Sequence, residues 1–424
     1  MNRSASFGSR SSVVLPVLGA AALLAPSSHG GVILPGLNVI YAAAIALSLL
    51  AFVGRLRVNL LDWVLVIVLA AIAATGTITT AFPYIAWGAI GPYVLLFALF
   101  VVDAGASLAT PISLKIFFVV SGCLLCLGYG TVLEVPVVMN LVENSYKAIS
   151  EDLFESMIIW GSKPVGVFAS HSIAAFAYFG LAITHYLILW SGMVRSIRVI
   201  SGVCAVGFVG LLPLLMSNSG FFLFLGSVCL LLGDLLRRGG GKWFLMAVPV
   251  AMLVLLLSPL GGAALELVDD AGDVVAGVLE YEEGGLLGRY ASGGRLQPTY
   301  DYLLAHPMQP IGLAYSEAIA LGDNFVGEYV VRFGLGGYLL VLVLLARFLL
   351  RWAVSAALAV GLFLYFFAAD LGYPLLPYVR VAGALPWIIT VLNVALSRER
   401  CGVSDASLRA ECGESEFGVR QVRR

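Results

Sequence analysis

Charge is what this sequence has least of. Only 12% of its 424 residues are Asp, Glu, Lys or Arg and 60% are hydrophobic, whereas a soluble domain carries about a quarter charged residues. The apolar residues run in continuous blocks of bilayer length instead of alternating. That pattern predicts membrane-spanning α-helices and not a β-barrel. A soluble enzyme, a nucleic-acid binder and a secreted disulfide scaffold are all excluded. Cysteine is scarce too. Of the six, Cys123, Cys126, Cys204 and Cys229 fall within apolar segments, and Cys401 and Cys412 lie in the C-terminal tail. None suits an extracytoplasmic disulfide, and Cys123-Leu-Leu-Cys126 reads as buried helix packing. Also missing are a histidine- or cysteine-pair metal pattern, a phosphate-binding glycine loop ending in Lys-Ser/Thr and a nucleophile elbow. Asp269-Asp270-Ala271-Gly272-Asp273 reads as solvated charge in an acidic loop. No metal and no cofactor are expected.

What is present is a series of about twelve apolar spans, near 13–25, 32–53, 60–80, 84–102, 114–133, 165–190, 199–217, 220–236, 243–261, 326–346, 352–369 and 381–397. The first is short and follows Arg3 and Arg10, so it also has the form of a signal peptide; cleavage there would leave the remaining topology unchanged. The expected fold is all-α: one polytopic transmembrane domain over 1–397, followed by a disordered cytoplasmic tail over 398–424. Placing the N-terminus inside puts 18 of the 24 basic residues on the cytoplasmic side and leaves Lys147, Lys163, Arg289, Arg295, Arg332 and Arg380 outside. The positive-inside rule therefore predicts two cytoplasmic termini.

Seventeen of the 25 acidic residues then fall in or beside outer loops. Two of these loops are long, about 134–164 and 262–325. The second, between the ninth and tenth helices, carries Leu286, Leu287, Tyr290, Tyr300, Tyr302 and Leu303, more apolar surface than a linker needs. It reads as a partly helical cap on the extracytoplasmic face.

The span interiors hold few ionisable groups, and each would be costly there. Asp62 and Asp234 lie near cytoplasmic ends, and His171 and His185 fall on the sixth span, where a histidine more often serves packing. This weakens an ion-coupled transport reading. Polar residues gather at outer span ends instead: Arg289, Arg295, Asp301, His306, Asp323, Asn324, Glu328 and Arg332. Asp323 or Asn324 can cap the tenth helix, and Glu328 and Arg332 have the i, i+4 spacing of a surface pair.

Three segments together carry a resemblance. Lys163-Pro164-Val165-Gly166-Val167-Phe168-Ala169-Ser170-His171-Ser172 is similar to the basic-x-x-Gly-x-Phe lead-in of bacterial O-antigen polymerases and ligases. Met216-Ser217-Asn218-Ser219-Gly220 resembles their Ser-Arg-Gly outer turn, without its arginine. Arg295…His306-Pro307…Pro310-Ile311-Gly312…Asp323-Asn324…Arg332-Phe333-Gly334-Leu335-Gly336 looks like their large outer loop running into the next helix. Lys163 stands where the family usually has arginine. Asp323-Asn324, where ligases carry histidine followed by Asn or Ser, resembles the polysaccharide polymerase branch.

The resemblance implies a glycosyltransferase of the bacterial inner membrane. It would join undecaprenyl-diphosphate-linked oligosaccharide repeats on the extracytoplasmic face. The implied partners are that lipid-linked glycan, the bilayer, and flippase and chain-length regulator proteins, with no nucleic acid. The implied catalytic base is Asp323, with Glu328 second. Substrate contacts would come from Lys163, Arg289, Arg295, Asn324, Arg332, Arg380, His171 and His306. The alternatives are an O-antigen ligase and a lipid-linked glycan flippase or transporter, whose working charges would line a cavity between spans.

Overall fold

The computed structural model describes residues 111–147, 163–168, 171–191, 193–215, 218–237 and 356–370. It also describes isolated positions within 16–24, 60–71, 297–305, 335–350 and 384–395. The second, fourth and ninth expected spans, Asp62, and the tail with Cys401 and Cys412 lie outside the described residues. Among the described residues every regular element is a helix. In order they are α1 (Pro111–Val132), α2 (Pro136–Lys147), α3 (His171–Leu189), α4 (Arg195–Leu214), α5 (Asn218–Arg237) and α6 (Ala356–Asp370). Three stretches, Ile112–Val132, Arg195–Leu214 and Gly220–Arg237, are long and apolar enough to cross a membrane. Helical positions also fall within the expected first, third, tenth and twelfth spans, at Gly19, Leu60, Leu339 and Trp387 among others.

The central element is α3. Nearly every residue from Ile173 to Ile188 is buried, as expected of a helix apolar on all sides. α4 packs along it most extensively, α5 packs against both, and α6 packs on α5. α1 has two distinct faces. Leu114, Phe117, Val120, Leu124 and Gly128 point inward, whereas Ile112, Val119, Cys123 and Cys126 are exposed. The expectation that Cys123 and Cys126 are buried is thus corrected. Their i, i+3 spacing places both on the outward stripe with Val119, an apolar surface suited to lipid.

α1 and α4 approach closely where side chains are missing. A β-carbon added at Gly128 would lie 2.7 Å from Leu211 Cδ1, and one added at Gly210 would lie 2.7 Å from Tyr129 Oη. Tyr129 uses this proximity to donate a hydrogen bond to the Gly207 carbonyl at 2.9 Å. Small residues that let helix backbones meet are the usual membrane solution, because lipid offers no hydrophobic drive for association. The segments around Gly19 and Trp387 meet in the same way. Gly19 lies against Trp387, which is fully buried and stacks edge-on with Phe117 at 5.7 Å.

α1 ends in a Schellman motif. Glu134 N–H donates to the Thr131 carbonyl at 3.0 Å, and Val135 N–H donates to the Gly130 carbonyl at 2.8 Å. Glu134 takes the left-handed conformation at φ 53°, a place normally given to glycine. Pro136 follows and opens α2, a first-turn position where its missing N–H costs nothing.

Side-chain contacts fix the helix directions. Ser121 meets His185 while Gly128 meets Leu211 and Tyr178, so α1 runs antiparallel to α3 and parallel to α4. Tyr186 meets Asp234, so the C-terminal ends of α3 and α5 lie together. One end of the bundle therefore collects the exposed Lys115, Arg195, Arg198 and Arg237. Lys163 and His171 lie at the opposite end.

Candidate functional site: the Lys163 turn

Composition placed the sixth span at 165–190, but its helix starts later, at His171. The reason is local. Pro164 cannot donate a backbone bond, and Gly166 sits at φ +56°, where any L side chain is strained. The chain turns instead of winding: Val165 N–H donates to the Lys163 carbonyl at 2.7 Å, and Phe168 N–H donates to the Val165 carbonyl at 2.9 Å.

This turn is not a surface loop. Pro164 is buried, as are Val165, Val167 and Phe168, the last with 1% of its surface exposed. Phe168 packs edge-on against Tyr178 with ring centroids 5.8 Å apart. Tyr178 in turn stacks on Phe208 of α4, also at 5.8 Å. Its hydroxyl donates a buried 2.7 Å hydrogen bond to the Pro164 carbonyl. The lead-in motif thus has a mechanical meaning. Gly166 permits the turn, Phe168 anchors it, and Tyr178 ties it to the bundle. Lys163 is then carried, half-buried, on a fixed mount.

Burial lowers the Lys163 ammonium from the ordinary value of 10.5, because desolvation disfavours the charged form. The sign for stability follows by linkage. Below the lowered pKa the folded and unfolded chains both hold the proton, so the burial cost is constant. Between that pKa and 10.5 the unfolded chain binds more protons, so stability rises with pH across that window. Competitive acylation across a pH series, read on the Lys163 peptide, should give a midpoint below 10.5. A midpoint at or above it would mean that an anionic neighbour outweighs burial.

Sequence reasoning had Lys163 and His171 but missed Tyr178. A tyrosine in the middle of the apolar run Ile173–Ile183 was the available signal, since a buried hydroxyl needs an acceptor. His171 opens α3 and is exposed. His185 answers differently: it is fully buried, Nε2 lies 2.8 Å from Ser121 Oγ, and the ring is flanked by Phe117 at 4.8 Å and Phe208 at 5.9 Å. That agrees with its packing reading. Asp234 accepts a 2.7 Å hydrogen bond from Tyr186 Oη, near the basic end of the bundle.

Asp323, Glu328, Arg289, Arg295, Asn324, Arg332, Arg380 and His306 lie outside the described residues. Within the second long loop, Gln297, Asp301, Leu304 and Ala305 are helical. Gln297 Nε2 donates to Asp301 Oδ1 at 2.7 Å, an exposed i, i+4 pair. The Met216–Gly220 stretch is less of a turn than expected, because Asn218, Ser219 and Gly220 form the first turn of α5. No protein-family model and no curated protein matches this chain.

Proposed function

We propose that this chain is a polysaccharide polymerase with about twelve transmembrane helices and both termini in the cytoplasm. It would join undecaprenyl-diphosphate-linked oligosaccharides on the extracytoplasmic face of the bacterial inner membrane. The observation that carries this reading is the half-buried Lys163 on its anchored turn. It lies at the bundle end opposite Lys115, Arg195, Arg198 and Arg237. A fixed cation at that end suits a diphosphate headgroup, and the apolar helix faces suit its polyprenyl chain.

In the proposed reaction the acceptor hydroxyl attacks the anomeric carbon of the donor glycan. The bond from that carbon to the diphosphate oxygen breaks, and the carrier diphosphate leaves with the electron pair. Cations fixed beside the departing oxygens favour the transition state more than the ground state. Lys163 serves as a point charge, while Arg289, Arg295, Arg332 and Arg380 can bind phosphate in two-pronged fashion. Asp323 takes the proton from the acceptor hydroxyl, with Glu328 second in line and Asn324, His171 and His306 contacting the sugars. Arginine and lysine then do the work of neutralising the diphosphate.

The test is the lipid-linked glycan that accumulates in a strain lacking this chain. Single repeat units facing outward are the expected result. Repeats trapped inside would mean a flippase, and finished polymer still on its carrier would mean a ligase. Either outcome overturns the proposal.

A further inference from the structure

We propose that α2 is an interfacial helix, and that its exposed Val137–Leu141 strip rests on the bilayer surface at the Lys163 end of the bundle. The helix has 12 residues, about 18 Å at 1.5 Å per residue, too short to cross. Its inward face is taken. Val138 packs on Gly130 in the last turn of α1, and Val142 is 2% exposed. Next to that face Val137 is 78% exposed and Leu141 50%, one helical turn apart. Asn140, also exposed, lies on the other side of Val137, and Glu143 and Lys147 follow it at the helical spacings i+3 and i+7. The helix therefore has three strips: one against protein, one apolar and exposed, one polar.

Continuity with α1 points to what covers the exposed strip. Ile112, Val119, Cys126 and Leu133 are all exposed and seven residues apart, so they form one line along the outward side of a membrane-length helix. That line passes through Val135, 39% exposed, into Val137 and Leu141. The Schellman motif fixes the corner, with only three residues between the two helices. α2 cannot leave the level at which α1 ends. A short helix with one apolar and one polar strip, held at that level, is placed as interfacial helices are. The bilayer is the occupant continuous with the surface already exposed on α1.

The test uses nitroxide labels on Val137→Cys, Leu141→Cys and Asn140→Cys, in the full chain with its native cysteines replaced by alanine, in phosphatidylcholine–phosphatidylglycerol nanodiscs. Relaxation by oxygen should exceed relaxation by a water-soluble nickel complex at 137 and 141, with the order reversed at 140. Nickel access at 137 and 141 equal to that at 140 would put the strip in water. Protection from both agents would mean a protein partner. Either result overturns the proposal. The unsubstituted chain gives an independent reading: a phospholipid with a diazirine on its acyl chain should label the 134–147 peptide. Label confined to α1, with none beyond Val135, would overturn it equally.

Discussion

Arg295→Ala and Asp323→Ala are each expected to abolish polymer while protein levels in the membrane stay unchanged. The magnitudes explain why single substitutions suffice. Removing one fixed charge or donor from a site of developing negative charge costs about 10²–10³-fold in rate. Removing a positioned general base costs about 10²–10⁴-fold. Every linkage needs the same step, so each addition along the polymer is slowed by that factor. Arg295→Lys should recover part of the activity, because a point charge replaces the two-pronged contact; Asp323→Asn should recover none, because an amide cannot accept the proton. Gel electrophoresis of extracted polysaccharide, with an immunoblot of the chain, reads both. Normal chain length in Arg295→Ala and Asp323→Ala would remove these two residues from the site and leave the Lys163 turn without its expected companions.

Gly19→Leu is expected to lower the stability of the bundle by about 3 kcal/mol, roughly a hundredfold in the ratio of folded to unfolded chains. A β-carbon at Gly19 would lie 2.5 Å from Cε3 and 2.6 Å from Cβ of Trp387. The first contact could be relieved by a rotating side chain. The second cannot, because Cβ moves only with its helix. Trp387→Ala alone should also be costly, about 3–5 kcal/mol for a fully buried tryptophan. The double variant should be less damaged than the sum, since the alanine makes the room that the leucine needs. Thermal unfolding in detergent measures all three. The same contact bears on the first span, which has the form of a signal peptide. Ala22 and Leu23 are buried in the core cluster with Trp387, so cleavage would strip protein from the largest fully buried side chain among the described residues. The segment is expected to be retained, and terminal sequencing of the mature chain checks it.

The middle of the fold was legible because bilayer thickness sets a length that composition records. The spans expected at 114–133, 199–217 and 220–236 correspond to α1, α4 and α5. Their ends were less legible. Arg195 and Arg198, just outside the span expected at 199–217, are in the first turn of α4, because a helix end in water tolerates arginine readily. α2 was missed altogether. It lies in a stretch identified by its acidic residues, and at 12 residues it is too short for a search by bilayer length to find. The cysteine pair failed for another reason. Hydropathy tells that a residue is in a span but not which way it faces, and in lipid the outward face is as apolar as the inward one. The site shows both limits. Lys163 and Gly166 were visible as a motif, while Tyr178, which holds their turn, belongs to an apolar run and met its acceptor 14 residues away.

The contact between Gly19 and Trp387 also sets a clock. The two residues are separated by 368 positions, from 19 to 387. At roughly 5–20 residues per second, synthesis needs roughly 20–70 seconds to supply the tryptophan after the glycine has emerged. The Gly19 segment must wait for that time without its final partner. Helix α3 can collect α4 and α5 within seconds of its own synthesis, since the three are consecutive. Assembly is therefore expected to run from the middle outward, and the closing step joins the Gly19 segment to the Trp387 segment.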